Sequence, residues 1–380
     1  MKEIDETFRS DVIPFEDVVW RDALCGRFSI HGLYAPLELG RYQRLPDALL
    51  NDERINAGAR AKGYNTSGGR IRFATDSPYV AVAVDYPRVE ASPHLSITGT
   101  SGVDLYEAPY GSADSRFRVC IFPGMSRKWG RPLPVNGMPT DFTSPLTVAG
   151  GYEFPDRKGE LREITLYLPL YNGVSRILIG LAPNARILAP RAYTHATPVV
   201  VYGSSITQGA CASRPGLSYM AILSRMLDFD FINLGFSGAD LGEEPLAEYI
   251  ATLPMSAFIN EFAANSPSVE HLQSRHEPFY RTIRAGIGDV PAIIMSTPTN
   301  PYKTSIAPTA QGKRNIVRAT VAAAVARGEY VDFLDGETVY GRDWDNATVD
   351  GTHPNDVGFM RLAERLAPML DKAFSQMSEG

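Results

Sequence analysis

Apolar positions follow two different rules along this chain, and the change falls near residue 195. Before it, short runs alternate apolar with polar side chains: Arg27 to Tyr34, Arg70 to Phe73, Tyr79 to Tyr86, Arg116 to Ile121, Leu161 to Leu170 and Arg176 to Leu181. In the third run Val80, Val82 and Val84 share one face. A period of two with almost no helical spacing predicts half-buried strands of an antiparallel β-sandwich. Gly150-Gly151, Asn172-Gly173 and Pro183-Asn184 read as turns, and the Pro-, Gly- and Ser-rich stretch 123–159 reads as loops.

After Tyr193 the strands become short continuous apolar runs, as expected where both faces are buried. Pro198 to Tyr202, Phe229 to Asn233, Ala257 to Asn260, Pro291 to Met295 and Tyr330 to Leu334 are the predicted strands. Helical stretches fall between and after them, over about 217–228, 243–251, 267–285, 311–327 and 355–376. Strands alternating with helices predict a parallel sheet with helices on both faces, a three-layer α/β/α domain. Such sheets carry their sites at the carboxyl ends of the strands. The predicted organisation is therefore a sandwich domain over 1–195 and an α/β domain over 196–380.

The polar residues at those strand ends carry the candidate chemistry. The first strand runs into Gly203-Ser204-Ser205-Ile206-Thr207-Gln208-Gly209. A serine at a glycine-flanked strand-to-helix turn is exposed at the sheet edge. The glycines permit a tight turn and close approach of a substrate, and nearby backbone N–H groups can meet a developing oxyanion. A phosphate loop would need a Lys-Ser/Thr ending, which is absent, as is the Gly-x-Ser-x-Gly elbow. The second strand ends in Asn233 to Asp240 and the third in Asn260 to Pro267. Taken singly, the former is an ordinary glycine-containing loop, and Asn265 in the latter is a helix cap. Asp350-Gly351-Thr352-His353-Pro354 places an acid three residues before a histidine on one loop, where the carboxylate can orient the imidazole.

Composition narrows the function class. Lys+Arg 37 against Asp+Glu 43 gives a net charge of −6, with no basic block, a poor match to a nucleic-acid backbone. No apolar run approaches the ~20 residues of a membrane span. The acidic start, Met1 to Glu6, has no apolar core of a secretory signal, so a cytoplasmic, bacterial protein is expected. Cys25, Cys120 and Cys211 match no metal-site or CxxC spacing and are expected to be reduced thiols.

The order Ser, Gly, Asn, then Asp-x-x-His, each at the end of a βα unit, resembles the SGNH (GDSL-type) hydrolase superfamily over about residues 197–380. The resemblance implies Ser205 as nucleophile with Asp350 and His353, and an oxyanion hole from Ser205, Gly238 and Asn265. Two departures stand out. Ser204 occupies the place where the family usually has Asp, and Asn265 lacks the family's preceding Gly and following Asp. Glu261 to Pro267 is instead similar to a subgroup form, Asp-Tyr-Asp-x-Asn-Ala-Pro, and Asn260 is the fallback for the oxyanion amide. That subgroup also carries an N-terminal β-sandwich.

What the resemblance implies is a serine esterase acting on short acyl esters of a hydroxyl-rich molecule, such as an oligosaccharide, with no metal or organic cofactor. An acyltransferase of polyketide-tailoring type shares the same residues. A carbohydrate-binding protein with a non-functional site is the third reading. Neither a nucleic-acid nor a membrane partner is expected, while a homo-oligomer stays open. Arg214 and Tyr219 could border the pocket or serve surface and core. His271 and His276 fit structural roles better than site roles, and His195 reads as a linker residue. Trp20, Trp129 and Trp344 would form a sugar platform only if exposed. The sandwich is expected to be a scaffold shaping the cleft, with a carbohydrate-binding module as the alternative.

Overall fold

The computed structural model describes residues 15, 17–89, 92–123, 146–155, 159–298, 307–341 and 344–378. They form two compact units. The first takes residues up to Arg44, Tyr64–Ala192 and Ser213–Gly216; the second takes Leu45–Gly63, Tyr193–Ala212 and Leu217 onward. No single cut in the sequence separates them.

The first unit is built from two antiparallel sheets. One orders its strands Val19–Asp22, Arg176–Leu181, Tyr79–Tyr86 and Leu146–Glu153. The other runs Ile187–Leu188, Arg70–Thr75, Arg162–Tyr167, Val103–Pro109 and Arg116–Ile121, with Ser29–His31 also pairing with Arg70–Thr75. Val80, Val82 and Val84 from one sheet and Ile71, Phe73, Leu105, Ile164 and Leu166 from the other fill a single core. The alternating valines face inward as their spacing predicts.

Three local expectations change. Gly150-Gly151 is not a turn but lies inside a strand, with Gly151 opposite Ala81 and Gly150 opposite Val82. A Cβ at Gly151 would stand 2.9 Å from Val80 O, so the strand needs glycine for close backbone approach. Arg27 to Tyr34 shortens to Ser29–His31. Val103–Pro109 is a strand that the alternation does not announce, because Asp104 and Glu107 are buried in it. Arg118 pairs with Glu107 at 2.7 Å and Arg214 with Asp104 at 2.9 Å, which keeps those charges compensated. Trp129 lies outside the described residues.

The second unit is a five-stranded parallel sheet in the order Phe229–Gly235, His195–Gly203, Ala257–Glu261, Ala292–Met295, Val331–Leu334. Helices Tyr219–Leu227, Glu244–Ala251, Val269–Ile287, Ala307–Ala326 and Asp356–Ser378 connect and follow the strands. One face of the sheet, with Val200, Tyr202, Leu234, Phe258 and Ile294, packs on Leu246, Leu272, Phe279 and Val317. Leu45, Leu50, Ile55 and Ala59 join this core, which explains why Leu45–Gly63 belongs here. Asn56 reinforces the attachment, since its backbone N–H donates to Glu243 Oε1 at 3.1 Å and its amide to Ala239 O at 2.8 Å. His195 is the first residue of a strand rather than a linker residue, stacked on Phe374 with ring centroids 3.9 Å apart.

The register sets up the site. Gly203 lies opposite Gly235 on one side and Glu261 on the other. The ends of the first three strands therefore stand side by side at the carboxyl edge. The central strand is flanked by the second and third, so the chain order reverses there, the position where open α/β sheets form a crevice.

Candidate active site

Ser205 opens a single helical turn, Ser205–Gln208, directly after the strand ends at Gly203. Ser204 caps that turn with its hydroxyl oxygen accepting from Ile206 N–H at 3.1 Å. Gly209 ends it at φ 102°, a left-handed conformation that glycine adopts without steric cost. The other glycines serve the protein's own packing. A Cβ at Gly235 would lie 2.3 Å from Gln208 N, and one at Gly203 would lie 2.6 Å from Glu261 Oε2. The expectation that glycine near Ser205 makes room for a substrate thus gives way at Gly203: the space is taken by a carboxylate.

Asp350 and His353 meet on a loop held by its own backbone. Val349 N–H donates to His353 O at 2.9 Å, and Thr348 bridges Pro354. Asp350 Oδ1 accepts the backbone N–H groups of Thr352 at 2.9 Å and His353 at 2.8 Å. Its Oδ2 lies 2.7 Å from His353 Nδ1. Partial burial pushes the Asp350 carboxyl upward, but the N–H of His353, its ring and the N–H of Thr352 outweigh this and bring it to about 2. The far ring nitrogen, Nε2, lies 2.9 Å from Ser205 Oγ. With Asp350 ionised, Nδ1 carries the proton, and Nε2 presents a lone pair to the serine hydroxyl. The structure brings Ser205, His353 and Asp350 into one hydrogen-bonded chain.

Gly238 is exposed at φ 69°, and a Cβ there would meet nothing within 4 Å. Asn265 is half-buried and donates from Nδ2 to Asp240 Oδ1. It does not cap the next helix; Ser268 does, accepting from His271 N–H at 3.1 Å. Asn260 is fully buried and turns its amide oxygen onto Phe262 N–H at 3.2 Å.

Two buried acids escaped the sequence reading as site residues. Glu261, fully buried, accepts from Ser204 N–H at 2.8 Å, Ser204 O–H at 2.6 Å and Thr207 O–H at 3.0 Å, all on Oε2. Asp240, also fully buried, holds Asn265. Burial raises the pKa of both carboxyls, and the charge of Glu261 adds to the rise at Asp240. The available signal was an acid immediately after an apolar strand or loop, at the edge where sites form. Lys313 lies close by, its Nζ donating to Ala264 O at 3.0 Å; burial lowers its pKa and the Asp240 charge opposes that.

The remaining candidates serve the fold. Tyr219 is buried with its hydroxyl 3.0 Å from Thr207 Oγ1. Arg214 sits in the first unit, on Asp104, Tyr106 and the face of Phe117. His276 is fully buried, bonded through Nδ1 to Thr320 Oγ1 at 2.8 Å, and His271 Nδ1 lies 3.3 Å from Ser266 Oγ. Trp344 is buried edge-on against Tyr340, so it offers no open stacking face, while Trp20 is half-buried. Cys120 and Cys211 are buried and Cys25 is exposed. Among the described residues, no helix is long and apolar enough to cross a membrane.

Residues 196–371 match the family model of the GDSL-like lipase/acylhydrolases, and residues 18–122 match that of the N-terminus of SGNH-hydrolase-type esterases. A Bacteroides ovatus protein described as a GDSL-like lipase is 28% identical, with a TM-score of 0.76 over 94% of this chain and 98% of its own. A salicylyl-acyltransferase from a tetracycline biosynthetic pathway shares the fold at 19% identity and a TM-score of 0.67, over 93% of this chain and 97% of its own. A family two carbohydrate esterase from Cellvibrio japonicus does so at 14% identity and 0.56, over 97% and 100%. No curated protein matches the sequence.

Proposed function

The chain belongs to the SGNH, GDSL-type hydrolase superfamily, in the subgroup with an N-terminal β-sandwich, and from that premise we propose a serine esterase that removes short acyl groups from a hydroxyl-rich, carbohydrate-like substrate. The observation that carries the reading is the unbroken chain from Asp350 Oδ2 through both ring nitrogens of His353 to Ser205 Oγ.

In the proposed reaction, Ser205 Oγ attacks the ester carbonyl carbon as His353 Nε2 takes its proton. Asp350 holds Nδ1–H and stabilises the imidazolium that forms. The carbonyl oxygen gains the negative charge, and we assign its donors as the backbone N–H groups of Ser205 and Gly238 and the amide of Asn265. Collapse of the tetrahedral species breaks the bond to the alcohol, which leaves with the proton from His353. The acyl group is then carried on Ser205. Water attacks that acyl-enzyme as it gives a proton to His353; collapse of the second tetrahedral species breaks the bond to Ser205 Oγ, which takes that proton back from His353, and the acid is released. Losing one oxyanion donor typically removes about 3 kcal/mol of transition-state stabilisation. The reaction as drawn uses no cofactor.

The carbohydrate class is supported by the fold shared with a carbohydrate esterase. The fold shared with an acyltransferase supports a second outcome, in which an alcohol rather than water takes the acyl group.

The test compares wild type with Ser205→Ala on p-nitrophenyl acetate, with and without a polyol. Nitrophenol release and acyl products are both followed. The expected result is release that vanishes in Ser205→Ala and yields acetate. Acetylated polyol as the main product would move the assignment to acyl transfer. Undiminished release in Ser205→Ala would overturn the nucleophile.

A further inference from the structure

On the premise that Ser205 is the nucleophile, we infer that Glu261 is a positioning residue of this site: its buried carboxylate clamps both flanks of the turn from which Ser205 projects. Three donors converge on one oxygen. Glu261 Oε2 receives the N–H and O–H of Ser204, immediately before Ser205, and the O–H of Thr207, two residues after it.

The proton bookkeeping leaves little freedom. Ser204 gives its hydroxyl proton to Glu261, so its lone pair is available to Ile206 N–H, which it accepts at 3.1 Å. Thr207 likewise gives its proton to Glu261 and accepts from the Tyr219 hydroxyl at 3.0 Å. The Ser204 and Thr207 hydroxyls thus each have one orientation. The backbone is shaped for the acid: Gly203 has no Cβ where one would stand 2.6 Å from Glu261 Oε2. Strand register places Glu261 directly beside Gly203.

A purely structural role explains this poorly. Burying a carboxyl group is costly, and the hydrogen bonds of Glu261 among the described residues come from the neutral donors of Ser204 and Thr207, with Oε1 left without a partner there. A similar-sized apolar side chain would fill the space without that cost. What the carboxylate alone supplies is an acceptor strong enough to hold three donors at once. The gain is a fixed distance between Ser205 Oγ and His353 Nε2, where a displacement of ~1 Å costs about 10²-fold in rate.

The test measures kcat, KM and the rate of Ser205 labelling by a fluorophosphonate in wild type, Glu261→Ala, Glu261→Gln and Glu261→Met, with circular dichroism and thermal unfolding alongside. The expected result for Glu261→Ala is a fall of about 10² in kcat and in labelling rate, with KM within about twofold. Glu261→Gln keeps an oxygen for the three donors and should regain about tenfold of that loss. Where Glu261→Ala does not fold, Glu261→Met against Glu261→Gln carries the same comparison. Wild-type kcat and labelling in a folded Ala or Met variant overturns the inference. So does equal impairment of Gln and Met, which would mean packing alone matters. Ser205→Ala is run in parallel: retained activity there overturns the nucleophile and this inference together, whereas a dead Ser205→Ala beside unaffected Glu261 variants overturns this inference alone.

Discussion

His353 Nε2 stands 2.9 Å from Ser205 Oγ across 148 residues of chain. Neither side chain is placed by the other's segment. Ser205 is fixed by the strand His195–Gly203 and its turn, and His353 by a loop that closes between Thr348 and Pro354 just ahead of the last helix. Asp350 ties the two together by choosing which ring nitrogen of His353 is protonated.

That choice makes Asp350→Asn a sharp test. The variant keeps an oxygen for the N–H groups of Thr352 and His353, so the loop should persist. Its amide would then face Nδ1 and favour the tautomer with the proton on Nε2, which cannot accept from Ser205. A fall in kcat of about 10²–10⁴ with little change in thermal stability is expected. Steady-state kinetics beside a melting curve checks it, and a loss below tenfold would remove Asp350 from the chain.

Ser204 explains a departure from the family pattern in electrostatic terms. The superfamily's usual Asp is missing at this position, and the acid arrives instead from the neighbouring strand as Glu261, 2.6 Å from the Ser204 hydroxyl. Ser204→Asp would put two carboxylates in contact within a buried site. We expect a destabilisation of about 3 kcal/mol, because one group must stay protonated or both must move apart. The double variant Ser204→Asp with Glu261→Ser should recover most of it. Chemical denaturation of the two singles and the double gives the coupling; additive losses would show that the two positions do not meet as described.

In the first unit the corresponding buried charge is Asp104. Its Oδ2 accepts Arg214 Nη1 at 2.9 Å and Gly216 N–H at 2.8 Å, and Arg214 also donates to Tyr106 Oη at 2.7 Å while lying 3.7 Å from the Phe117 ring centroid. Arg214→Ala leaves the carboxylate without its cation and should cost about 3–5 kcal/mol. Arg214→Lys should recover only part, since an ammonium cannot donate in a fork and stack on Phe117 together. Urea unfolding measures both; a change in Arg214→Ala below about 1 kcal/mol would contradict the burial of Asp104.

The sequence made the α/β half legible because its strands are continuous apolar runs and its site residues sit at their ends. The residues of the Ser205, Asp350 and His353 chain could be named in advance because the order of the strand-end blocks resembles that of a known superfamily; taken alone, an acid three residues before a histidine on a loop reads equally well as an inert, solvated pair. Glu261 and Asp240 could not, because their importance lies in burial, and a strand-end acid looks in sequence like a solvated one. Gly150-Gly151 misled for the opposite reason: glycine marks turns and close strand packing alike, and only the approach of Val80 O decides between them. Val103–Pro109 hid as a strand behind Asp104 and Glu107, charges whose partners, Arg214 and Arg118, lie 110 and 11 residues away.

His276 links the core to pH. It is fully buried, bonded to Thr320, and stacked on Phe262 with centroids 5.7 Å apart. Burial lowers its pKa from the ordinary 6.5 to about 4. In the folded protein the ring therefore stays neutral where the unfolded chain takes up a proton. Between about pH 6.5 and pH 4 the unfolded state binds more protons, so stability rises with pH across that window and falls as the solution is acidified. Above the window His276 contributes nothing to the slope, and below about pH 4 both states are protonated and the loss is complete, on the order of 3 kcal/mol. His276→Gln retains a hydrogen-bonding side chain without the titration. Its stability at neutral pH should lie slightly below wild type, and its unfolding free energy should change less on moving from pH 6.5 to pH 4. Denaturant titrations of both proteins at half-unit pH steps provide the measurement. Parallel slopes for the two proteins would assign the acid sensitivity of this core to other groups.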